Sequence, residues 1–358
     1  MTNNPHIIPQ IDRSQGLEFG LYSLGDYMPN PHTGDWVSPE DRLQQFIEMA
    51  QLAEDAGVDI FHLGESHQEY FISQAHMIIL SAIAQATNTI GIASAATIIS
   101  TSDPVRVYEN AATIDLLSGG RMEIVAGRAS RIGLFELLGY DFKDYEALYE
   151  EKLDLLLQIN EEEEVTWSGQ FRPSLDKARA LPRSKEGLPI WRAVGGPADS
   201  AIKAGLKGVP MYITTLGGSS EYFKHSIDIY RSVLHEKGFD EATIPVTTSG
   251  LMYIHEDQDT AFKNYYKHLD EGMRKANGTG FDKRLFAQGK DYRDSLNVGD
   301  PQLIIDKILY QHELFNNQRY TAQIDFGGIP MDDIRRMIDL LGEKVIPTVK
   351  KYTREKEG

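Results

Sequence analysis

Glu65, Ser66 and His67 stand in a row where the apolar run "VDIFHLG" gives out. A carboxylate and an imidazole two positions apart can share or pass a proton, and the imidazole titrates near neutral pH. Glu65 could equally sit in a structural salt bridge. A second group lies downstream, where Gly195-Gly196-Pro197 ends "LPIWRAVGG" and Ser200 follows in "PADS". Glycines at a strand-to-helix turn let backbone N–H groups approach a ligand closely. The helix start beyond them carries unpaired donors and partial positive charge, which suits a phosphate. Arg128, Ser130 and Arg131 follow "RMEIVAG", and a guanidinium beside such a turn is a natural phosphate partner. The plain alternatives are a tight turn at the glycines and an ion pair at Arg128. Ala95 and Ala96, in "SAAT", leave a low surface for a flat ligand, or simply pack closely. With no His-x-His on a strand and no cysteine, no metal site is expected.

These residues share one property: each falls at the end of an apolar run that a helical pattern follows. The first strand is "LEFGLYSL" (17–24). Ser38-Pro39 then reads as a cap and first helical residue, with Leu43, Phe46, Ile47 and Ala50 at helical spacing and Gly57 closing the helix. "VDIFHLG", "IGIASAATII", "RMEIVAG", "LPIWRAVGG", "VPMYITTL", "IPVTTSGLMYIHE" and "TAQIDFGG" supply seven further strands. Helices are read at 73–87, from Asp103-Pro104 through Leu117, and around 145–160, 197–206, 219–237, 301–314 and 331–341. Strands separated by helices are parallel strands with crossovers. Eight such units predict an α/β fold of the (β/α)8 TIM-barrel kind, in which function gathers at the C-terminal strand ends. An open doubly wound sheet would want a Gly-x-Gly-x-x-Gly turn after its first strand, and none is present. The whole chain, 1–358, reads as one barrel domain with two insertions. One, 161–188, is a hairpin before the fifth strand; the other, 275–300, is an excursion before the eighth, where a mobile lid could lie. The acidic run Glu161 to Glu164 reads as a solvated helix end.

Composition narrows the partners. The formal charge is −17, from 53 acidic and 36 basic residues, a balance that repels nucleic acid and anionic lipid. The absence of cysteine removes disulfides, thiolate metal sites and a cysteine nucleophile. The first residues lack the order of a signal peptide, and no apolar run approaches a membrane span. A cytoplasmic location is the expectation.

Beyond these readings, long stretches resemble the bacterial luciferase-like, flavin-dependent monooxygenase family. They are "AEDAGVDIFHLGESH", "TSDPVRVYENAATIDLLSGGRMEIVAGRA" and "LPIWRAVGGPADSAIKAGLKGVP", with the "VTWSG" insertion and "FGGIP" at 326–330. The likeness runs from 17 to about 217 and resumes at 326. It implies a (β/α)8 barrel and an FMN-dependent monooxygenase. Such an enzyme takes reduced FMN as a cosubstrate from a separate flavin reductase, forms a peroxyflavin with O2, and oxygenates a small organic substrate. It also implies a homodimer through the second and third helices. By position, Arg128 falls on a flavin-contacting arginine near the FMN phosphate, and Gly195, Gly196 and Ser200 on the loop that holds it. Ala95-Ala96 falls on a non-proline cis peptide behind the isoalloxazine ring. Ser130 and Arg131 continue the loop beneath the flavin. Members of the family commonly end the second strand in Glu-His-His. Here Glu65 matches the acid and His67 the second histidine, while Ser66 replaces the first, the one that supports oxygenation in luciferase itself. That role does not pass to Ser66 unchanged, and neither light emission nor an aldehyde substrate is implied. Two other readings stand beside this one: an F420-dependent hydride-transfer oxidoreductase of the same superfamily, and a non-catalytic flavin-binding relative.

Overall fold

The computed structural model describes residues 4–128, 132–195 and 198–355. Eight parallel strands form the barrel: β1 (Glu18–Ser23), β2 (Ile60–Leu63), β3 (Gly91–Ile98), β4 (Met122–Gly127), β7 (Ile190–Val194), β8 (Met211–Thr215), β9 (Val246–Ile254) and β11 (Arg319–Gln323). Each pairs with the next, and β11 returns to β1 with Glu18 opposite Arg319 and Tyr22 opposite Gln323, so the sheet closes. The antiparallel hairpin β5 (Val165–Trp167) and β6 (Leu175–Ala178) lies before the fifth barrel strand, where an insertion was expected.

Helices α1 (Pro39–Asp55), α2 (His76–Ala86), α3 (Pro104–Ser118), α5 (Tyr145–Glu161), α6 (Ala198–Lys207), α7 (Ser220–Glu236), α8 (Gln258–Asn277), α10 (Pro301–Phe315) and α11 (Met331–Leu340) belong to the helical layer. The starts of α1 and α3 follow from local chemistry. Ser38 accepts the Asp41 N–H at 3.0 Å, Asp103 accepts the Val105 N–H at 2.8 Å, and each cap is followed by proline. A cap of this kind stabilises its helix by about 1 kcal/mol.

Inside the barrel the lower end is polar and interlocked. The buried Arg319 guanidinium meets Glu123 at 2.7 and 3.0 Å and Glu18 at 2.5 Å, and lies 4.9 Å over the Trp191 ring. Trp191 in turn donates its indole N–H to Glu123 at 2.7 Å. Above this layer His62 and Tyr212 fill the axis, their rings 5.7 Å apart. A barrel so filled is a packed core and not a pore.

Four features differ from the sequence reading, the first being α8, which that reading does not contain. The eighth strand begins at Arg319, two residues before the apolar run, because its guanidinium is neutralised inside the barrel and so tolerates the interior. The stretch before α10 is not a plain lid. It carries the end of α8, the short α9 (Lys283–Gln288) and β10 (Asn297–Gly299), which is buried and extends the sheet from β9. α4 (Ile132–Leu138) also follows β4, where the sequence reading has no helix before about 145.

Candidate active site

The C-terminal strand ends form the mouth of the barrel. β2 runs into Gly64, and a Cβ built there would stand 2.5 Å from the Ala95 carbonyl oxygen. On the other side of β3, a Cβ at Gly127 would stand 2.4 Å from that of Ala96. The two glycines thus flank a bulge in β3, where the pairing with β4 slips between Ala95 and Thr97. The peptide between Ala95 and Ala96 is cis, the geometry that the resemblance implied. Ala95 is buried, while Ala96, Ala193 and Tyr22 pack against it as partly exposed neighbours. The result is a low surface of small side chains beside one phenol.

Glu65 is tied to this bulge. Its own N–H donates to the Ala96 carbonyl at 3.1 Å, and its Oε2 accepts the Ile98 N–H at 2.7 Å. The other oxygen, Oε1, accepts from His67 Nε2 at 2.8 Å. His76, at the start of α2, places Nε2 2.8 Å from Thr97 Oγ1 and Nδ1 3.9 Å from Glu65 Oε2. Burial holds the His76 imidazole below its ordinary range, with Glu65 opposing. Glu65 therefore sits between two imidazoles. Ser66 is 4% exposed and its Oγ has no hydrogen-bond partner among the described residues. Nothing in the sequence singled out His76, which lies inside an apolar helix pattern, "SQAHMIIL".

On the adjacent strand, Arg128 leaves the end of β4 and lies over the rings of Tyr145 and Tyr149, at 5.5 and 5.4 Å. Its Nη1 pairs with Glu146, whose second oxygen is 3.3 Å from Lys203 of α6. Arg128 is thus in an ion pair, the plain alternative read for it, and that pair borders α6. Gly195 is exposed at the end of β7, and Ser200, in the first turn of α6, is 2% exposed with no partner for its Oγ among the described residues. Ser130, Arg131, Gly196 and Pro197 lie outside the described residues. The structure therefore brings Glu65, Ser66 and His67 to the β3 bulge with Ala95 and Ala96, and sets Arg128 beside the helix that carries Ser200.

A further cluster, unread in the sequence, lies where β1 and β11 end. Arg42 Nη2 bridges Asp26 at 3.0 Å and Asp325 at 2.7 Å, and Ser23 donates to Asp325 at 2.5 Å. Asp26 also accepts the N–H groups of Gly327 and Gly328, at 2.9 and 3.1 Å. Burial, and then the neighbouring Asp325, push the Asp26 carboxyl up to about 7. Asp26 and Arg42, with Tyr27 and Trp36, line a cavity of about 180 Å3 beneath the 24–37 loop. Among the described residues, no group of three or more His, Cys, Asp or Glu could hold a metal, and no helix is long and apolar enough to cross a membrane.

Residues 17–316 match the family described as luciferase-like monooxygenase. The chain belongs to that family. Among curated relatives of this luciferase-like chain is the alkanal monooxygenase alpha chain of Photorhabdus luminescens, 25% identical over 91% of this chain and 88% of that one. Of solved structures, the monooxygenase RslO1 of Streptomyces bottropensis superposes with a TM-score of 0.81 at 21% identity, over 93% of this chain and 99% of its own. An FMN complex of the oxygenating constituent of 3,6-diketocamphane monooxygenase, a type II Baeyer–Villiger enzyme of Pseudomonas putida, gives 0.73 at 14%, over 93% and 99%. An F420-dependent secondary alcohol dehydrogenase gives 0.70 at 19%, over 93% and 99%. The luciferase-like chain is an oxidoreductase by that membership, and its fold is theirs.

The residues present suit the flavin that this family implies. Among the described residues the buried hydroxyls of Ser66, after β2, and Ser200, in α6, have no hydrogen-bond partner, and polar groups so buried ordinarily have one. Ala96 and Ala193 add small, partly exposed side chains packed on one buried cluster.

Proposed function

We propose that this protein is an FMN-dependent monooxygenase that uses reduced flavin and O2 to oxygenate a small organic substrate. The observation that carries the reading is Arg128 at the end of β4, joined through Glu146 to the helix whose first turn holds the unpaired Ser200 hydroxyl. Arg128, Gly195, Gly196 and Ser200 would hold the phosphate, with Ser130 and Arg131 on the same loop as Arg128. Ala95 and Ala96 would back the ring. The chemistry that reduced flavin supplies when bound is the two-electron activation of O2. The chain binds, orients and shields it. Glu65 and His67 form the proton-holding edge, since His67 Nε2–H rests on Glu65 Oε1 and that carboxylate is anchored by Ile98. Ser66 Oγ is free to bond to ring or substrate.

A separate reductase would supply the reduced flavin, and the partly exposed apolar side chains of α2 and α3 support a homodimer. A second reading, hydride transfer with F420, is favoured by the likeness to an F420-dependent dehydrogenase. The net charge of −17 weighs against it, because the F420 tail is itself acidic.

Titration with FMN, riboflavin and F420, each oxidised and reduced, separates these. The first reading expects FMN to bind more tightly than riboflavin, and reduced FMN to give oxygenated product with O2. In Arg128→Gln the preference for FMN should fall about 10- to 100-fold, as for a lost charge-assisted hydrogen bond, with riboflavin unmoved. Binding of F420 alone would install the second reading.

A further inference from the structure

Glu146 occupies Arg128 in the manner of an anionic ligand, and we infer that it is a resident counter-anion that the flavin phosphate must displace, which sets how tightly this site holds the cofactor. The inference rests on the phosphate reading of Arg128.

Four observations support displacement over permanent pairing. Glu146 is 50% exposed against 18% for Arg128, so the carboxylate can swing into water while the guanidinium stays. Arg128 is held independently, by the faces of Tyr145 and Tyr149 at 5.5 and 5.4 Å. Lys203, the other partner of Glu146, keeps Asp199 at 3.1 Å and is not stranded when Glu146 leaves. Finally, Glu146 lies in the first turn of α5, where the helix dipole favours a negative charge even after its arginine is taken. By contrast, the neighbouring pair Arg192–Glu150 has a fully buried guanidinium and two contacts, at 2.6 and 3.1 Å. That pair is structural and Arg128–Glu146 is exchangeable.

An ion pair of such exposure is weak, so a phosphate dianion with the help of Ser200 can replace it. Each binding event must nevertheless break it and overcome the repulsion of the displaced carboxylate. The effect is a discount on phosphate affinity alone, one that keeps a diffusing cofactor exchangeable.

The test is fluorescence titration of wild-type protein and Glu146→Gln with FMN and with riboflavin, which lacks the phosphate, followed by competition with inorganic phosphate. The variant should bind FMN about three- to tenfold more tightly, leave riboflavin unchanged, and show an inhibition constant for inorganic phosphate lowered by a similar factor. FMN affinity that is unchanged or weaker, or equal tightening of both flavins, overturns the inference while leaving the phosphate reading in place. Equal wild-type affinities for FMN and riboflavin, or no binding of either, overturn both.

Discussion

A buried serine hydroxyl with no partner has lost its water without recovering a hydrogen bond, at a cost of about 1–3 kcal/mol. Ser66 is in that position, next to a carboxylate and an imidazole that are fully engaged with each other. If the hydroxyl is kept for a ligand, Ser66→Ala should leave thermal stability unchanged or slightly raised and weaken binding of reduced FMN or substrate. A clear drop in melting temperature with binding intact would show instead that Ser66 belongs to the core. Glu65→Ala is expected to behave differently, because it would leave the Ile98 N–H and the His67 ring without their acceptor. The polar trio was legible because it broke an apolar run at a strand end. His76 and Glu146 were not, since one sits in an apolar helix pattern and the other among ordinary acidic residues of a helix.

At the scale of elements, the loops after β1 and β11 are clasped by Asp26, Arg42 and Asp325. Both carboxylate oxygens of Asp26 are met by N–H donors, and Asp325 Oδ2 is met by Arg42 and Ser23. An acid held at about 7 when folded, against an ordinary 3.8, makes the native state bind more protons than the unfolded chain between those values. Stability should therefore fall as pH rises from about 4 to about 7, and level off above, by an amount on the order of a few kcal/mol. Asp325→Asn, which leaves one carboxylate for one guanidinium, should flatten that slope in urea unfolding across this range. An unchanged slope would place the titration elsewhere. None of this was readable beforehand, because Asp26, Arg42 and Asp325 are scattered along the chain and meet only when the barrel closes. α8 is another case. Its buried positions Ala261, Phe262, Tyr265, Leu269 and Ala276 are correctly spaced for a helix, yet the charged residues between them hid the pattern. Where apolar runs were pure, as in β3 and β4, strand limits agree with the sequence reading to within a residue or two.

For the molecule as a whole, the alternation of strand and helix carried the barrel, but it could not say how a barrel with arginine and glutamate inside would be sealed. The apolar exterior bears on assembly. Ile78 on α2 is 74% exposed, and Leu117 on α3 is 52% exposed, so these are side chains that a partner docked on both helices would cover. If α2 and α3 form the homodimer contact, Ile78→Glu with Leu117→Glu should convert a dimer into a folded monomer in sedimentation velocity. A wild-type monomer would end the dimer proposal.

The interlocked floor of the barrel has one more consequence. Trp191, with its indole N–H on Glu123 and the Arg319 guanidinium over its face, is sealed from solvent and lies two residues before Ala193, one of the small side chains at the mouth. Trp36 is its opposite, 52% exposed beside Tyr27 over the 24–37 loop cavity. Two of the protein's three tryptophans are thus optical reporters of opposite kind. Emission from Trp191 is shielded from aqueous quenchers yet within energy-transfer range of a chromophore at the mouth. Trp36, in contact with water, answers to whatever covers its loop.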